Sequence, residues 1–239
     1  MKKVYKWILL CCLLGVCAAV VIVYLFIMKT AGVEIDKTMY PVTGIDVSNH
    51  TGKIDFAQVK EQGVDFVIIK ATEGANFKDE SFERNYSNAQ NADIPVGAYH
   101  FFRFNRSGKE QAKNFLKHIK GKRFELPLVL DVEEWGNSGS SKREEVVAEL
   151  QNFIDEVESQ VKKKVMIYTN ESGYRTYIKG NFDTKSIWIC SFSKSPNIDA
   201  KWTLWQHSHI GKLKGAEGWI DLNTFNGSRA EWNNYLSAE

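Results

Sequence analysis

The folded part of this chain is almost without cysteine. Of four cysteines in 239 residues, Cys11, Cys12 and Cys17 sit inside an amino-terminal apolar run, where a thiol behaves as a small hydrophobe. Only Cys190 lies beyond it, so there is no internal disulfide and no cysteine-rich zinc set. Cys190 closes Ile187-Trp-Ile-Cys, a buried-strand pattern, and buried thiols are poor nucleophiles. A glycine-rich phosphate loop is also missing. His207-Ser-His209 is expected to lie in a loop, and no His-x-His or His-x-x-x-His pair stands among the strand-end motifs, which weakens a metal centre built on Asp46, His50 and Asp131. No metal and no cofactor are expected. Excess positive charge is lacking too: the formal net charge is +2, but residues 1–29 hold four lysines and no acid, so the remainder is net −2. The aromatics do not interleave with basic clusters as strand-binding grooves require, so nucleic acid is not expected as a partner.

What is present begins with Lys2, Lys3 and Lys6 before an apolar run from Trp7 to Met28. About 22 apolar residues at 1.5 Å each are enough to cross a bilayer. A cleavable signal has a shorter core; Cys17-Ala-Ala in mid-run supports that competing reading, and lipid attachment at Cys17 is a third. The favoured reading is an uncleaved anchor: residues 1–29 form a cytoplasmic stub and transmembrane helix, 30–40 a polar linker, and 41–239 the folded domain. The lysines before the run outnumber Lys29 directly after it, which places the domain outside the cytoplasm. If the run is cleaved or lipidated, the domain is secreted or lipid-anchored instead.

Beyond residue 41, short β-rich runs alternate with helical patterns, the mark of repeated βα units. Strands are expected at Thr43–Val47, Phe66–Lys70, Pro95–His100, from Pro127, and at Val165–Thr169, Ser186–Cys190, Thr203–Gln206 and Trp219–Leu222. Helices are expected at about Asp55–Gln62, stopped by Gly63, and at Asp79–Asn91, Lys109–Ile119 and Ser141–Gln160. Eight strands in a unit of this length predict a single α/β domain, an irregular TIM-like (β/α) barrel. The gaps between the last three strands are too short for full helices, so that side should be irregular.

The segment Leu126–Trp135, Leu-Pro-Leu-Val-Leu-Asp-Val-Glu-Glu-Trp, is the centre of the pattern. Its apolar run reads as a strand buried on both faces. Alternation sends Val129, Asp131 and Glu133 one way and Leu128, Leu130 and Val132 the other. Two carboxyls therefore project together at the carboxyl end of a buried strand, where an unsatisfied charge is costly. Capping of the next helix is the bland alternative. Asp46, Glu73, Tyr99, His100, Tyr168, Asn170, Gln206 and Asp221 lie at or just after other strand ends. In such barrels the strand carboxyl ends form the active site, and closure brings the first and last strands together. Carboxyls that converge repel, so one keeps its proton while another stays ionised, the division that glycosidic cleavage needs. Tyr99, Phe101, Tyr168, Trp188 and Trp205 are available for stacking on sugars or for core packing. His50 and His100 read as hydrogen-bonded structural residues.

The motifs Gly44-Ile-Asp-Val-Ser, Gly97-Ala-Tyr-His-Phe, Leu130-Asp-Val-Glu, Ile167-Tyr-Thr, Trp205-Gln-His-Ser and Ile220-Asp-Leu-Asn, in this order, resemble glycoside hydrolase family 25, the Chalaropsis-type muramidases. The resemblance implies hydrolysis of the β-1,4 bond between N-acetylmuramic acid and N-acetylglucosamine in peptidoglycan, with retention. It implies Glu133 as general acid and then base, and Asp131 as the second carboxylate, attacking directly or orienting the substrate's acetamido group. Asp46 and Asp221 match the other two pocket acids, and Tyr99, Tyr168 and Gln206 the sugar cleft. His207, where tyrosine is frequent, and Ile189-Cys-Ser-Phe, in place of a motif ending Ala-x-Tyr, are expected to alter the cleft wall. A monomer acting on glycan strands is expected. A non-catalytic peptidoglycan-binding protein and a chitinase-like hydrolase are the alternatives.

Overall fold

A computed structural model describes residues 12–17, 20–21, 32–137 and 141–238. The fold is α/β and is built on a closed ring of eight strands. These are β1 (Thr43–Val47), β2 (Val64–Glu73), β4 (Val96–Phe101), β5 (Leu128–Asp131), β6 (Met166–Asn170), β7 (Ile187–Cys190), β8 (Leu204–Gly211) and β9 (Ile220–Phe225). The two-residue strand β3 (Phe77–Lys78) folds back on the end of β2. Around the ring the order is β1, β9, β8, β7, β6, β5, β4, β2, and pairing of β1 with β2 closes it. The run from β2 to β8 and the β1–β2 pair are parallel. The departure from an all-parallel barrel is β9, antiparallel to both β8 and β1.

Alternation sorts the strand residues into two cores. Outward-facing Ile45, Val67, Ile69, Ala98, Leu128, Leu130, Val132 and Ile167 pack under the helices α1 (Phe56–Glu61), α2 (Phe82–Asn91), α3 (Gly108–Ile119) and α4 (Arg143–Val161). Inward-facing Phe66, Ile68, Val129, Met166, Tyr168, Trp188 and Leu204 fill the ring. The directions expected for Val129 and for Leu128, Leu130 and Val132 are those found. Helix α1 starts at Asp55, whose carboxylate accepts from the Ala57 and Gln58 N–H groups at 3.1 Å, and stops before Gly63 at a φ of 87°.

The connections between β7, β8 and β9 are irregular, as their lengths required, and the longer one after β6 is irregular too. A short helical stretch, Glu171–Ile178, follows β6, no helix separates β7 from β8, and β8 turns directly into β9. A final helix, α5 (Arg229–Ala238), was not anticipated. Its Trp232 plugs the amino-terminal end of the ring against Phe66 and Phe225, with ring centres 5.1 and 5.2 Å apart. Burying a side chain of that size is worth at most roughly 4–6 kcal/mol.

Most of residues 1–29 lie outside the described residues, and with them the expected anchor. Among the described residues no helix is long and apolar enough to cross a membrane. The described part of the expected linker lies on the barrel. Gly32 bridges Ser208, the Val33 N–H donates to the His207 carbonyl at 2.7 Å, and Tyr40 packs on Trp202 and Trp205. The apolar residues Val33, Ile35 and Tyr40 give that strap its hold on the outer core.

Candidate active site

The carboxyl ends of the parallel strands surround a cleft of about 1020 Å³. All seven residues expected to act in catalysis or substrate binding, Glu133, Asp131, Asp46, Asp221, Tyr99, Tyr168 and Gln206, line it. Asp46, near the end of β1, is the cross-strand partner of Asp221 on β9. Asp221 is not at a strand's carboxyl end. It is the second residue of β9, and it reaches the mouth because that strand runs in reverse.

A series of buried donors converges on Asp46. The Tyr168 hydroxyl donates to Gln206 Oε1 at 2.7 Å, and Gln206 Nε2 donates to Asp46 Oδ2 at 2.8 Å. From the other side Trp188 Nε1 donates to Asn223 Oδ1 at 2.8 Å, and Asn223 Nδ2 donates to the same Asp46 oxygen at 2.8 Å. Burial raises Asp46 to about 6, against these bonds, which favour its anion. Burial, the Asp46 charge and a hydrogen bond to Asp46 raise Asp221 to about 9. At neutral pH the pair is therefore a carboxylate facing a protonated acid.

Asp131 ends β5 fully enclosed, and its Oδ1 has no hydrogen-bond partner among the described residues. Burial, then the Glu133 charge, push it well above the usual carboxylate range, while Lys70 pulls it back. Glu133 stands two residues further on, in a turn pinned by Asn137, whose Nδ2 donates to the Glu133 and Phe102 carbonyls at 2.8 and 2.9 Å. Burial and the Asp46 charge raise Glu133 to about 7, again against Lys70. Such a group is half-protonated near neutrality, the condition under which it gives and takes a proton most effectively.

Lys70 is the buried cation of this wall. Its Nζ lies 2.7 Å from Glu73 Oε2 and 5.0 Å from the centre of the Phe101 ring. Arg103 covers the same ring at 4.9 Å, donates from Nε to Glu73 at 2.9 Å and reaches the Gly136 carbonyl. Burial pushes Glu73 up, but Lys70 and Arg103 outweigh it and leave this acid below its ordinary value. Glu73 is thus committed to an ion-pair network that ties β2 and β4 to the turn after Glu133.

Several sequence expectations change here. Trp205 faces the outer core, with its Nε1 donating to the Ser191 carbonyl, and does not line the cleft; Trp188 does. His207 shares the outward side of β8 with Trp205, and its Nδ1 meets the Val33 carbonyl at 2.8 Å, so it does not alter the cleft wall. The second departure does reach that wall, through Cys190, Ser191 and Phe192. Cys190 is half-buried there, and burial pushes its thiol up. His100 points outward, bonded to Thr72 at 2.7 Å and Gln111 at 3.2 Å and stacked on Phe153, and burial lowers it to about 3. Among the described residues no group of three or more His, Cys, Asp or Glu could hold a metal.

Four contributors were not singled out from sequence. Asn223 shares a strand face with Asp221, a relation that alternation alone could have supplied. Lys70 and Arg103 gave no such signal, because their role depends on Phe101 and Glu73 from two different strands. Trp135, at the cleft rim, is 79% exposed, an unusual position for a tryptophan.

The sequence model for glycosyl hydrolases family 25 matches residues 45–216, most of the ring. The chain belongs to this family. As a family 25 member it is a glycoside hydrolase. Lysozyme M1 of Streptomyces globisporus is 38% identical over 204 residues, covering 79% of this chain and 69% of that protein. A family 25 glycosyl hydrolase from Bacillus anthracis has a similar structure, with a TM-score of 0.78 and 38% identity over 86% of this chain and 97% of that one. A bacterial lysozyme from Streptomyces coelicolor aligns with a TM-score of 0.74 and 36% identity, covering 82% of this chain and 97% of that one. The family match stops before β9, so Asp221 lies outside it.

Proposed function

We propose that this chain is a lysozyme, an N-acetylmuramidase that hydrolyses the β-1,4 bond between N-acetylmuramic acid and N-acetylglucosamine in peptidoglycan with retention of configuration. The observation that carries the reading is the meeting of Asp131, Glu133, Asp46 and Asp221 in one cleft, each with its proton affinity raised by burial. The names of its relatives, a Streptomyces lysozyme among them, support it. A protein that only binds glycan needs no buried acid poised near neutrality.

In this reading Glu133 protonates the leaving oxygen and then, as a base, activates the water that completes hydrolysis. Asp131 and Glu133 titrate as a pair. Asp131 lines the cleft, and a small side-chain shift that brings its enclosed, unpartnered Oδ1 to the mouth would let it accept from a substrate N–H, such as that of the acetamido group. Accepting that bond stabilises the Asp131 anion and leaves the shared proton on Glu133. The same contact favours attack by the substrate's acetamido oxygen, oriented by Asp131, over direct attack by the carboxylate; both routes retain configuration. Asp46 keeps a negative charge near the developing oxocarbenium, with Asp221 donating to it. Tyr99, Tyr168 and Gln206 position the sugars, and burial keeps both phenols neutral.

The domain reading accompanies the chemistry. Residues 1–29 anchor the chain in a membrane with its amino terminus cytoplasmic, residues 30–40 connect, and residues 41–239 form an extracytoplasmic, monomeric catalytic domain related to the TIM barrel. The activity is tested by turbidity loss of purified peptidoglycan with the full chain in neutral detergent. Glu133→Gln is expected to slow lysis at least about 100-fold while still binding glycan. Products with muramic acid at the new reducing end support a muramidase. N-acetylglucosamine there, or equal lysis by both proteins, overturns the assignment.

A further inference from the structure

A second concavity, of about 940 Å³, lies at the opposite end of the ring from the cleft. It is formed by the carboxyl-terminal half of α3, the segment leading into β5, the end of α4 and Leu236 of α5. Its floor is apolar, with Leu116, Phe124 and Leu126 among the residues there, and its rim is cationic. Lys113, Lys117 and Lys120 come from α3 and its end, Lys122 and Arg123 from the connecting segment, and Lys163 from the approach to β6. Glu125 is the one acid in the lining, and it pairs with Arg123 at 3.2 Å.

Helix geometry does not account for this collection. A helix carboxyl terminus favours Lys117 and Lys120, but it says nothing of cations converging from two other segments. The body of the chain is net −2, so the groove concentrates positive charge against the overall balance. Lys122 is held by Glu83 at 2.8 Å and Lys163 leans on the Phe124 carbonyl at 3.3 Å. Lys113, Lys117 and Lys120 have no ion-pair partner among the described residues, and like charges four apart on a helix destabilise it. Within this field His118 is held below its ordinary value by burial, Lys78 and Lys117.

We infer that the groove binds a flexible phosphodiester polyanion, so that the domain grips charged polymer in the wall while the opposite cleft engages glycan. Lys113, Lys117 and Lys120 rise along the helix by about 6 and then about 4.5 Å, a linear array for a ligand that repeats one charge along its length. Five of the six cations are lysines, point charges that suit a mobile phosphate chain, where arginine favours a fixed bidentate partner. A lipid surface fits less well. The strap places Gly32 beside Ser208, past Gln206 on the side where β8 meets the cleft, at the other end of the barrel from this groove. The inference rests on the lysozyme reading only for where the polymer is found.

The test uses the full chain in vesicles of zwitterionic lipid and fluorescent poly(glycerol phosphate) as probe. Wild type is expected to bind, and Lys113→Glu/Lys117→Glu/Lys120→Glu to bind at least about tenfold more weakly, with the slope of log affinity against log salt shallower by about two. Lys113→Gln/Lys117→Gln/Lys120→Gln, which removes charge without reversing it, is expected to fall between them. Both variants should keep the wild-type melting temperature and full activity on peptidoglycan stripped of anionic polymer. No binding by wild type at low salt, or equal binding by all three proteins, overturns the inference. So does protection of these lysines from acetylation by a second set of vesicles containing phosphatidylglycerol but not by the polymer. Polymer binding without glycan hydrolysis would instead refute the lysozyme reading and leave the groove standing.

Discussion

The Asp46 charge is a principal reason that Glu133 keeps its proton, and replacing it by asparagine isolates that effect. Asparagine retains an oxygen that can accept from Gln206 Nε2 and Asn223 Nδ2, which both donate to a single Asp46 oxygen, so the pocket should hold its shape. Glu133 is raised from its ordinary 4.5 to about 7, with burial the larger cause and Asp46 the second. Holding that proton amounts to about 3 kcal/mol at roughly 1.4 per pH unit. Because Asp46 is the second cause after burial, removal of its charge should lower the alkaline limb of kcat/KM from near 7 by about one pH unit, part of the rise and not all of it. The assay is hydrolysis of a soluble peptidoglycan oligosaccharide across pH 4–9 at constant ionic strength. Lys70→Met is the control of opposite sign: Lys70 pulls Glu133 down, so its loss should move the same limb upward. A wild-type limb near 4.5, or an Asp46→Asn limb that stays in place or rises, would refute the electrostatic account.

Other outcomes follow from the same geometry. Asp46, Glu133 and Asp221 hold protons more tightly folded than unfolded, so the stability they contribute is complete below about pH 4 and is lost as pH rises towards about 9. Between about pH 7 and 9, above the range where Glu73, Glu83 and the buried His100 take up protons, the melting temperature should fall, and Asp221→Asn, which keeps a donor to Asp46, should flatten that fall; a rise between pH 7 and 9 would contradict this. Trp135→Ala should raise KM for polymeric glycan roughly fivefold, the scale of one aromatic stacking contact, with no change in thermal melting. Gly108→Ala would place a Cβ 1.9 Å from the Glu149 carbonyl oxygen, where α3 meets α4, and should cost about 2 kcal/mol, read as a melting temperature lower by about 5 °C.

Much of the ring was legible because parallel strands advertise themselves. Val129, Leu130 and their counterparts on β2, β6 and β7 are buried on both faces, and a short apolar run without alternation fits little else than the middle of a parallel sheet. The strand ends then followed, and with them the cleft acids. The direction of β9 was not legible, since Trp219–Leu222 reads alike either way, and Asp221 was assigned to a strand end it does not occupy. Helix α5 went unnoticed because Trp232 and Tyr235 look like an apolar tail until the open floor of a ring needs filling. The inward or outward fate of Trp188 and Trp205 depends on register, and one residue of offset exchanges the two. His207 illustrates the same point, since a residue next to Gln206 in sequence lies on the other side of the sheet.

The reversed strand β9 also decides which part of the protein is free to vary. Between parallel neighbours, a change of loop at the mouth must be reconciled with a crossover that spans the barrel's height. Between β8 and β9 the chain only doubles back, over Lys212–Trp219, and Trp219 stands exposed there. Residues inserted at that bend would lengthen only the turn and leave the pairing of Asp46 with Asp221 undisturbed. The seam that shuts the cylinder is thus where the chain can lengthen without passing through a crossover.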